Sequence, residues 1–127
     1  MAFIVDTETG DLTLVQGDSG ELFVEGLNTD KDYTVYFAFY NNRRRILGTE
    51  ISVEANRSDH VILSIPASLT DLLTVPQGSD TAEYYYGIKV CNEDDGFEDT
   101  VTIGNKDIGE LNTITVYPKK VEGLTND

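Results

Sequence analysis

Few side chains in this sequence have the type and spacing that catalysis requires. Gly17-Asp18-Ser19-Gly20 places a serine beside an acid, as some nucleophilic serine sites do. Such a serine also needs a histidine base oriented by an acid, and the single histidine, His60, has no recognisable flanking motif. We therefore predict a tight turn at 17–20, a surface position for His60 and no enzymatic activity.

The acidic run Asn92–Asp95 gathers the oxygen ligands that Ca²⁺ prefers. If Gly96 took the sixth position of an EF-hand loop, Cys91 would fall first and Thr102 twelfth, and neither residue supplies the carboxylate needed there. The sequence therefore predicts a solvated acidic turn, with no metal and no cofactor. A looser cation site between this turn and the acids that follow it stays an alternative.

Three groups of side chains are candidates for protein contacts: outward tyrosines, a basic turn and the acidic turn. Tyrosine covers a large area and keeps a polar tip, which suits contact surfaces. Arg43-Arg44-Arg45 contains three of the 9 basic residues and could meet the acidic turn of another copy. Exposed ion pairs contribute up to about 1 kcal/mol each, so they would set orientation more than affinity. The predicted contact residues are Tyr36, Tyr40, Arg43, Arg44, Arg45, Tyr85, Glu93, Asp94, Asp95 and Tyr117. Ordinary surface packing or a carbohydrate platform would use the same tyrosines.

Composition narrows the class of protein. The 127 residues fit one domain, and with 39% hydrophobic and 25% charged residues the chain favours a folded, water-exposed protein. A net charge of −14 argues against general nucleic-acid binding and against anionic membranes. Cys91 is the only cysteine, which excludes an internal disulfide and predicts a packed or half-exposed thiol. No basic segment precedes Phe3, so we expect no signal peptide.

Alternating side chains predict the elements that position these residues. The best example is the hairpin at 82–104. Its first strand has an inward face made of Tyr84, Tyr86, Ile88 and Val90. Asp95-Gly96 makes the turn, and the return strand covers 100–103. Other strands are predicted at 3–5, 12–16, 21–27, 33–40, 45–53, 60–65 and 111–118, with one short helix at 67–73 capped by Ser68. Eight or nine short strands predict an all-β fold, an antiparallel, immunoglobulin-like β-sandwich at 1–120 with a flexible C-terminal tail at 121–127.

The order of these features resembles the small β-sandwich domains of tailed-bacteriophage virions, as found at the N-terminus of baseplate upper proteins and in related tail and neck components. The matching elements are Gly17-Asp18, Ile65-Pro66, Thr70, Leu73, Gly78, the strand Tyr84-Tyr86-Gly87-Ile88, Asp95-Gly96, Thr100–Gly104 and Ile114-Thr115-Val116, and they cover about residues 12 to 117. Two features depart from the pattern. Ser79–Glu83 intervenes before the tyrosine strand, and the chain stops at Asp127 without the long extension that carries a receptor-binding module. These departures favour a small stand-alone subunit.

The resemblance implies a non-enzymatic structural protein that assembles with itself and with other virion proteins in the host cytoplasm. Such proteins form rings or trimers in the tail, baseplate or neck. Two alternatives stay open: a head-decoration or fibre subunit of the same particle, and an immunoglobulin-like module that binds carbohydrate or a bacterial surface.

Overall fold

Nine strands and one short helix make up the part of the chain that the computed structural model describes, which is residues 3–92, 94, 96–101 and 111–119. The elements are β1 (Ile4–Val5), β2 (Leu12–Val15), β3 (Gly20–Glu25), β4 (Thr34–Tyr40), β5 (Ile46–Glu54), β6 (His60–Ile65), α1 (Ala67–Thr70), β7 (Ala82–Asn92), β8 (Phe97–Thr100) and β9 (Asn112–Tyr117). The predicted all-β class is confirmed, and most predicted strand ends are correct to within two residues. The predicted tail at 121–127 lies outside the described residues.

The strands form two sheets. In sheet A, six strands run in the order β1-β2-β9-β7-β4-β5, and β8 adds a seventh by pairing with the second half of β7. Sheet B contains β3 and β6, which pair from Gly20↔Ile65 to Glu25↔His60. The prediction of purely antiparallel pairing is wrong at one place, because β2 runs parallel to β9. Most of the chain separates these two strands, so no tight turn forces them to be antiparallel.

Both sheets contribute to one hydrophobic core. Val35, Phe37 and Phe39 alternate along β4 and are almost completely buried, in the same core cluster as Leu22 of β3 and Leu63 of β6. The rings of Phe37 and Phe39 meet edge to face, with centroids 5.1 Å apart. Most of the predicted inward residues of β6, β7 and β9 are also in this core: Val61, Leu63, Ile65, Tyr86, Ile88, Val90, Ile114 and Val116. Tyr84, also predicted to face inward on β7, is only partly buried and packs against this core.

The helix is shorter than predicted and lacks the predicted cap. It begins after Pro66 and ends at Thr70, and no side chain makes a capping hydrogen bond at its N-terminus, so Ser68 does not cap it. A buried Thr70 fixes it instead, because the Thr70 hydroxyl donates a 2.8 Å hydrogen bond to the Asp18 carbonyl. No helix in the described ranges is long and apolar enough to span a membrane.

The return strand of the central hairpin begins earlier than predicted. β8 covers Phe97–Thr100, three residues ahead of the predicted 100–103, and pairs Glu98 with Cys91. The turn is tight because the Asp94 amide donates to the Asn92 side chain at 2.9 Å, and Gly96 has the predicted positive φ, at 73°. The rest of the predicted return strand, at 102–103, lies outside the described residues.

Candidate protein-contact surface

The outer face of sheet A, which points away from the core, carries all four predicted tyrosines. Tyr36 and Tyr40 on β4 and Tyr85 on β7 are half-buried, whereas Tyr117 on β9 is 42% exposed. They occupy three separate places on this face. Tyr40 lies directly opposite Tyr85, Tyr36 lies opposite Lys89 further along the same strands, and Tyr117 pairs with β2.

Tyr40 covers part of its own sheet. A Cβ built on Gly87 would lie 3.4 Å from the Tyr40 ring and 3.5 Å from the Leu111 side chain, so both side chains lie over this glycine. Ala38, the neighbour of Gly87 on β4, is only 2% exposed although it is on the outer face. This half of the outer face is therefore packed against the chain itself, and it leaves Tyr40 only partly available to a partner.

The Arg43–Arg45 turn joins β4 to β5 at the same end as Tyr40 and Tyr85. Asn41 holds its backbone: the Asn41 side-chain oxygen accepts hydrogen bonds from the amides of Arg43 and Arg45, at 2.9 and 3.1 Å. Arg44 has a φ of 59°, a conformation that favours glycine. All three arginines are exposed, so a rigid backbone presents three guanidinium groups to solvent.

Arg44 also acts on Tyr85 electrostatically. The pKa of Tyr85 lies above its ordinary value, first because its hydroxyl donates to Glu83 Oε1 at 3.1 Å, then through burial and the Glu83 charge. The positive charge of Arg44 works in the opposite direction and lowers that pKa. The basic turn therefore lies near this tyrosine, at the same end of sheet A.

The acidic turn after β7 lies at the opposite end of sheet A. β4 pairs with β7 from Tyr40↔Tyr85 at the basic end to Thr34↔Cys91 at the other end, where Asp94 is exposed. At a rise of about 3.3 Å per residue, these ends are about 20 Å apart. The predicted contact residues Glu93 and Asp95 lie outside the described residues. Because of this separation, the basic and acidic turns of one chain cannot pair with each other.

A groove opens on the outer face of sheet A and reaches the acidic turn, since Asn92 and Gly96 are among its lining residues. It has a volume of about 520 Å³, and Tyr36, Glu50, Lys89 and Glu98 are among the residues that line it. Lys89 Nζ lies 2.6 Å from Glu98 Oε1. This contact raises the pKa of Lys89, with smaller contributions from Cys91 and Glu50, and it lowers the pKa of Glu98. Two carboxylates thus face one ammonium beside a half-buried tyrosine.

Sequence analysis did not identify this groove, although one signal was present. The two-residue period places Lys89 on the same face as Tyr85. Glu50 and Glu98 come from two other strands, and their meeting depends on the pairing register of β5 and β8. Cys91, predicted to be packed or half-exposed, is half-buried at the edge of the groove.

A second feature that sequence analysis did not identify as a contact candidate is an exposed apolar pair on sheet B. Phe23 and Ile62 are direct cross-strand neighbours, and both are exposed. The Phe23 ring stacks on His60, with centroids 5.1 Å apart and an interplanar angle of 10°. Glu21 and Glu25 flank Phe23 on the same strand, so an antiparallel pairing of two copies centred on Phe23 would place like charges opposite each other.

The catalytic interpretation of Ser19 and His60 fails on geometry. Ser19 precedes Gly20, which pairs with Ile65 at one end of sheet B, and His60 pairs with Glu25 at the other end. The two residues are thus separated by the length of a strand. His60 is exposed, as predicted, and its Nδ1 lies 2.9 Å from Asp59 Oδ1. Among the described residues, no group of three or more His, Cys, Asp or Glu side chains is arranged to hold a metal ion.

Comparisons with known proteins do not assign the chain to a family. No protein-family model matches the chain, and no curated protein matches it. The function proposed below therefore rests on the residues of this chain and on their placement.

Proposed function

We propose that this chain is a non-enzymatic structural subunit of a bacteriophage particle, in the tail, baseplate or neck, which binds other copies of itself and other virion proteins. The observation that carries the proposal is the position of the Arg43–Arg45 turn and the acidic turn at Asp94, at opposite ends of one sheet. A subunit with opposite charges at its two ends attracts the next copy head to tail. Contacts of this kind build rings or filaments.

The order of features along the chain supports the virion setting. From Gly17-Asp18 through Tyr84-Tyr86-Gly87-Ile88 to Ile114-Thr115-Val116, it is similar to the small β-sandwich domains of tailed phages. The strong negative charge suits such a role, because it keeps free subunits apart until a specific contact overcomes their repulsion. Tyrosines at the margins of that contact would add apolar area.

We further propose that the fold is an immunoglobulin-like sandwich of the variable type. The order β9-β7-β4-β5, with β3 and β6 in the other sheet, agrees with the order of strands G, F, C and C′ opposite B and E in that fold. Tyr84 supports this correspondence: it lies near the start of β7, and its hydroxyl donates a 2.6 Å hydrogen bond to the Thr74 carbonyl in the preceding connection. Immunoglobulin domains have an equivalent tyrosine near the start of strand F.

The core differs from that of antibody domains in one respect. The chain has no tryptophan and one cysteine, so it lacks the disulfide and the tryptophan that fill the centre of an antibody domain. Phe37 of β4 and Tyr86 of β7 stack at a centroid distance of 5.6 Å on the corresponding strands. This pair supplies aromatic packing at the centre without a covalent link.

Mass spectrometry of gradient-purified particles from the host that carries this gene tests the proposed function. We expect the protein in intact particles at a fixed stoichiometry, retained in the tail fraction after heads and tails are separated. Retention in the head fraction or with detached fibres would favour the decoration or fibre alternative. Absence from otherwise complete particles would refute a virion role, and binding on a glycan array would then favour the carbohydrate-binding alternative.

A further inference from the structure

Two surfaces of this chain complement each other in charge but cannot meet within one molecule. One is the Arg43–Arg45 turn, and the other is the groove, where, among the described residues, Glu50 and Glu98 outnumber the one cation, Lys89, beside Tyr36. Tyr36 lies four residues before Tyr40, which is about 13 Å along the strand, and the turn begins beyond Tyr40. The Arg43–Arg45 turn and the groove of the same copy are therefore separated by at least about 13 Å along the strand.

We propose that the groove binds the Arg43–Arg45 turn of a second copy of this chain, a contact that rests on the assembly role proposed above. Glu98 is already paired with Lys89 at 2.6 Å, and Glu50 provides a second carboxylate in the groove. A guanidinium group can bind a carboxylate through two parallel hydrogen bonds and stack on a tyrosine ring. Glu50 and Tyr36 offer both partners in one groove.

The choice of a second copy as the occupant follows from charge and rigidity. Acidic residues outnumber basic ones by 23 to 9, and this turn concentrates three of the basic residues in one exposed place. Asn41 fixes the backbone of the turn through two hydrogen bonds, so little conformational freedom is lost on docking.

The proposed contact joins different surfaces of the two copies. After a single contact, one copy still has an unused turn and the other an unused groove, so further copies can add until a ring closes. Exposed ion pairs of this kind each change an association constant by a factor of about 1.5 to 5. We therefore expect association that weakens steeply as salt rises, because screening acts strongly on exposed charges.

Charge-reversed variants test the contact in the full-length chain. Glu50→Lys reverses the charge of one groove carboxylate and keeps the basic turn, whereas the double variant R43E/R45E reverses two of the three turn charges and keeps the groove. Arg44 stays unchanged because it acts on Tyr85 of its own chain. Sedimentation velocity at 50 mM salt measures the association constant of each variant alone and of an equimolar mixture.

We expect Glu50→Lys to lower the association constant at least about fivefold and R43E/R45E about tenfold or more. The mixture should return to within about threefold of the natural chain, because each reversed surface then faces its complement. Glu25→Lys on sheet B and Arg57→Glu at another turn are matched controls, since both are exposed and change the charge in the same sense. The association constants of these two controls should stay within about twofold of that of the natural chain. Circular dichroism should show that all variants are folded.

The outcomes separate this contact from the assembly role itself. Oligomers that persist unchanged in Glu50→Lys and R43E/R45E would overturn the groove contact and leave the assembly role standing. Loss of association in both variants without recovery in the mixture would also overturn it, because the two surfaces would then not be partners. A natural chain that stays monomeric at low salt and high concentration would overturn the contact, while its presence in purified particles would decide the virion role independently.

Discussion

Substitution of Gly48 by alanine should destabilise the fold more than an ordinary change of glycine to alanine. Gly48 lies on β5, where the helical segment packs over the edge of sheet A, and its φ is +74°. A Cβ at this position would lie 2.5 Å from Leu69 Cδ1 and 2.8 Å from Leu72 Cδ1. Leu69 is buried, so it cannot move aside freely.

Two separate costs add up in this variant. A left-handed backbone conformation costs a residue with a Cβ about 1–2 kcal/mol. Overpacking of a buried contact adds about 1–3 kcal/mol. The expected loss of unfolding free energy is therefore about 2–5 kcal/mol, against a typical total of about 5–15 kcal/mol for a domain.

Urea unfolding of Gly48→Ala beside Gly26→Ala measures the two costs separately. Gly26 has a φ of +84°, but a Cβ there would have no atom within 4 Å, so this control carries only the backbone cost. We expect the midpoint of Gly48→Ala to fall further than that of Gly26→Ala, with similar slopes for both. A double-mutant cycle with Leu69→Ala should show a coupling of about 1–3 kcal/mol, because removal of the isobutyl group relieves the clash. Equal losses for the two glycine variants, or an additive cycle, would refute the packing of this segment against Gly48.

Three further predictions concern other single side chains. Arg57→Gly should stabilise the domain by about 0.5–1 kcal/mol in urea unfolding, because Asn56 and Arg57 both have positive φ, at 51° and 62°, in the turn between β5 and β6. Arg43→Gly, which removes an arginine from a residue without positive φ, is the control and should give no gain. Tyr86→Phe should cost about 1–3 kcal/mol at neutral pH, because the buried Tyr86 hydroxyl donates to the Gly10 carbonyl. Burial raises the pKa of Tyr86 in the folded state, so above pH ~10 this tyrosine ionises in the unfolded chain before it ionises in the folded one. The unfolding free energy of the natural chain should then fall by about 1.4 kcal/mol per pH unit. The difference in unfolding free energy between the natural chain and Tyr86→Phe should narrow at that rate. A constant difference from pH 9 to 11 would contradict the burial of the hydroxyl. Thr70→Val should lower the unfolding free energy by about 1–3 kcal/mol through loss of the hydrogen bond to the Asp18 carbonyl, whereas Thr70→Ser should retain that bond. Equal urea midpoints for the two variants would contradict a stabilising role of this hydrogen bond.

The sequence alone determined which residues face inward on most strands. In β4, side chains alternate between the buried Val35, Phe37 and Phe39 and the more exposed Tyr36 and Tyr40, with Ala38 as the exception. This pattern is local, because consecutive side chains of any strand point to opposite faces. Turn residues such as Gly96 were predictable for the same reason, since a positive φ depends on the residue itself and on its neighbours.

Tertiary structure decided which strands became neighbours. An alternating pattern is the same for parallel and antiparallel strands, so the parallel pairing of β2 with β9 could not be predicted from it. The pairing register of β8 could not be predicted from the alternating pattern either. This register places Glu98 beside Cys91 and Lys89. The sequence therefore indicates the outward face of Lys89 but not the meeting of Glu50 and Glu98 in one groove. Local patterns fix the faces of strands, whereas contacts between residues distant in the chain depend on how the whole core packs.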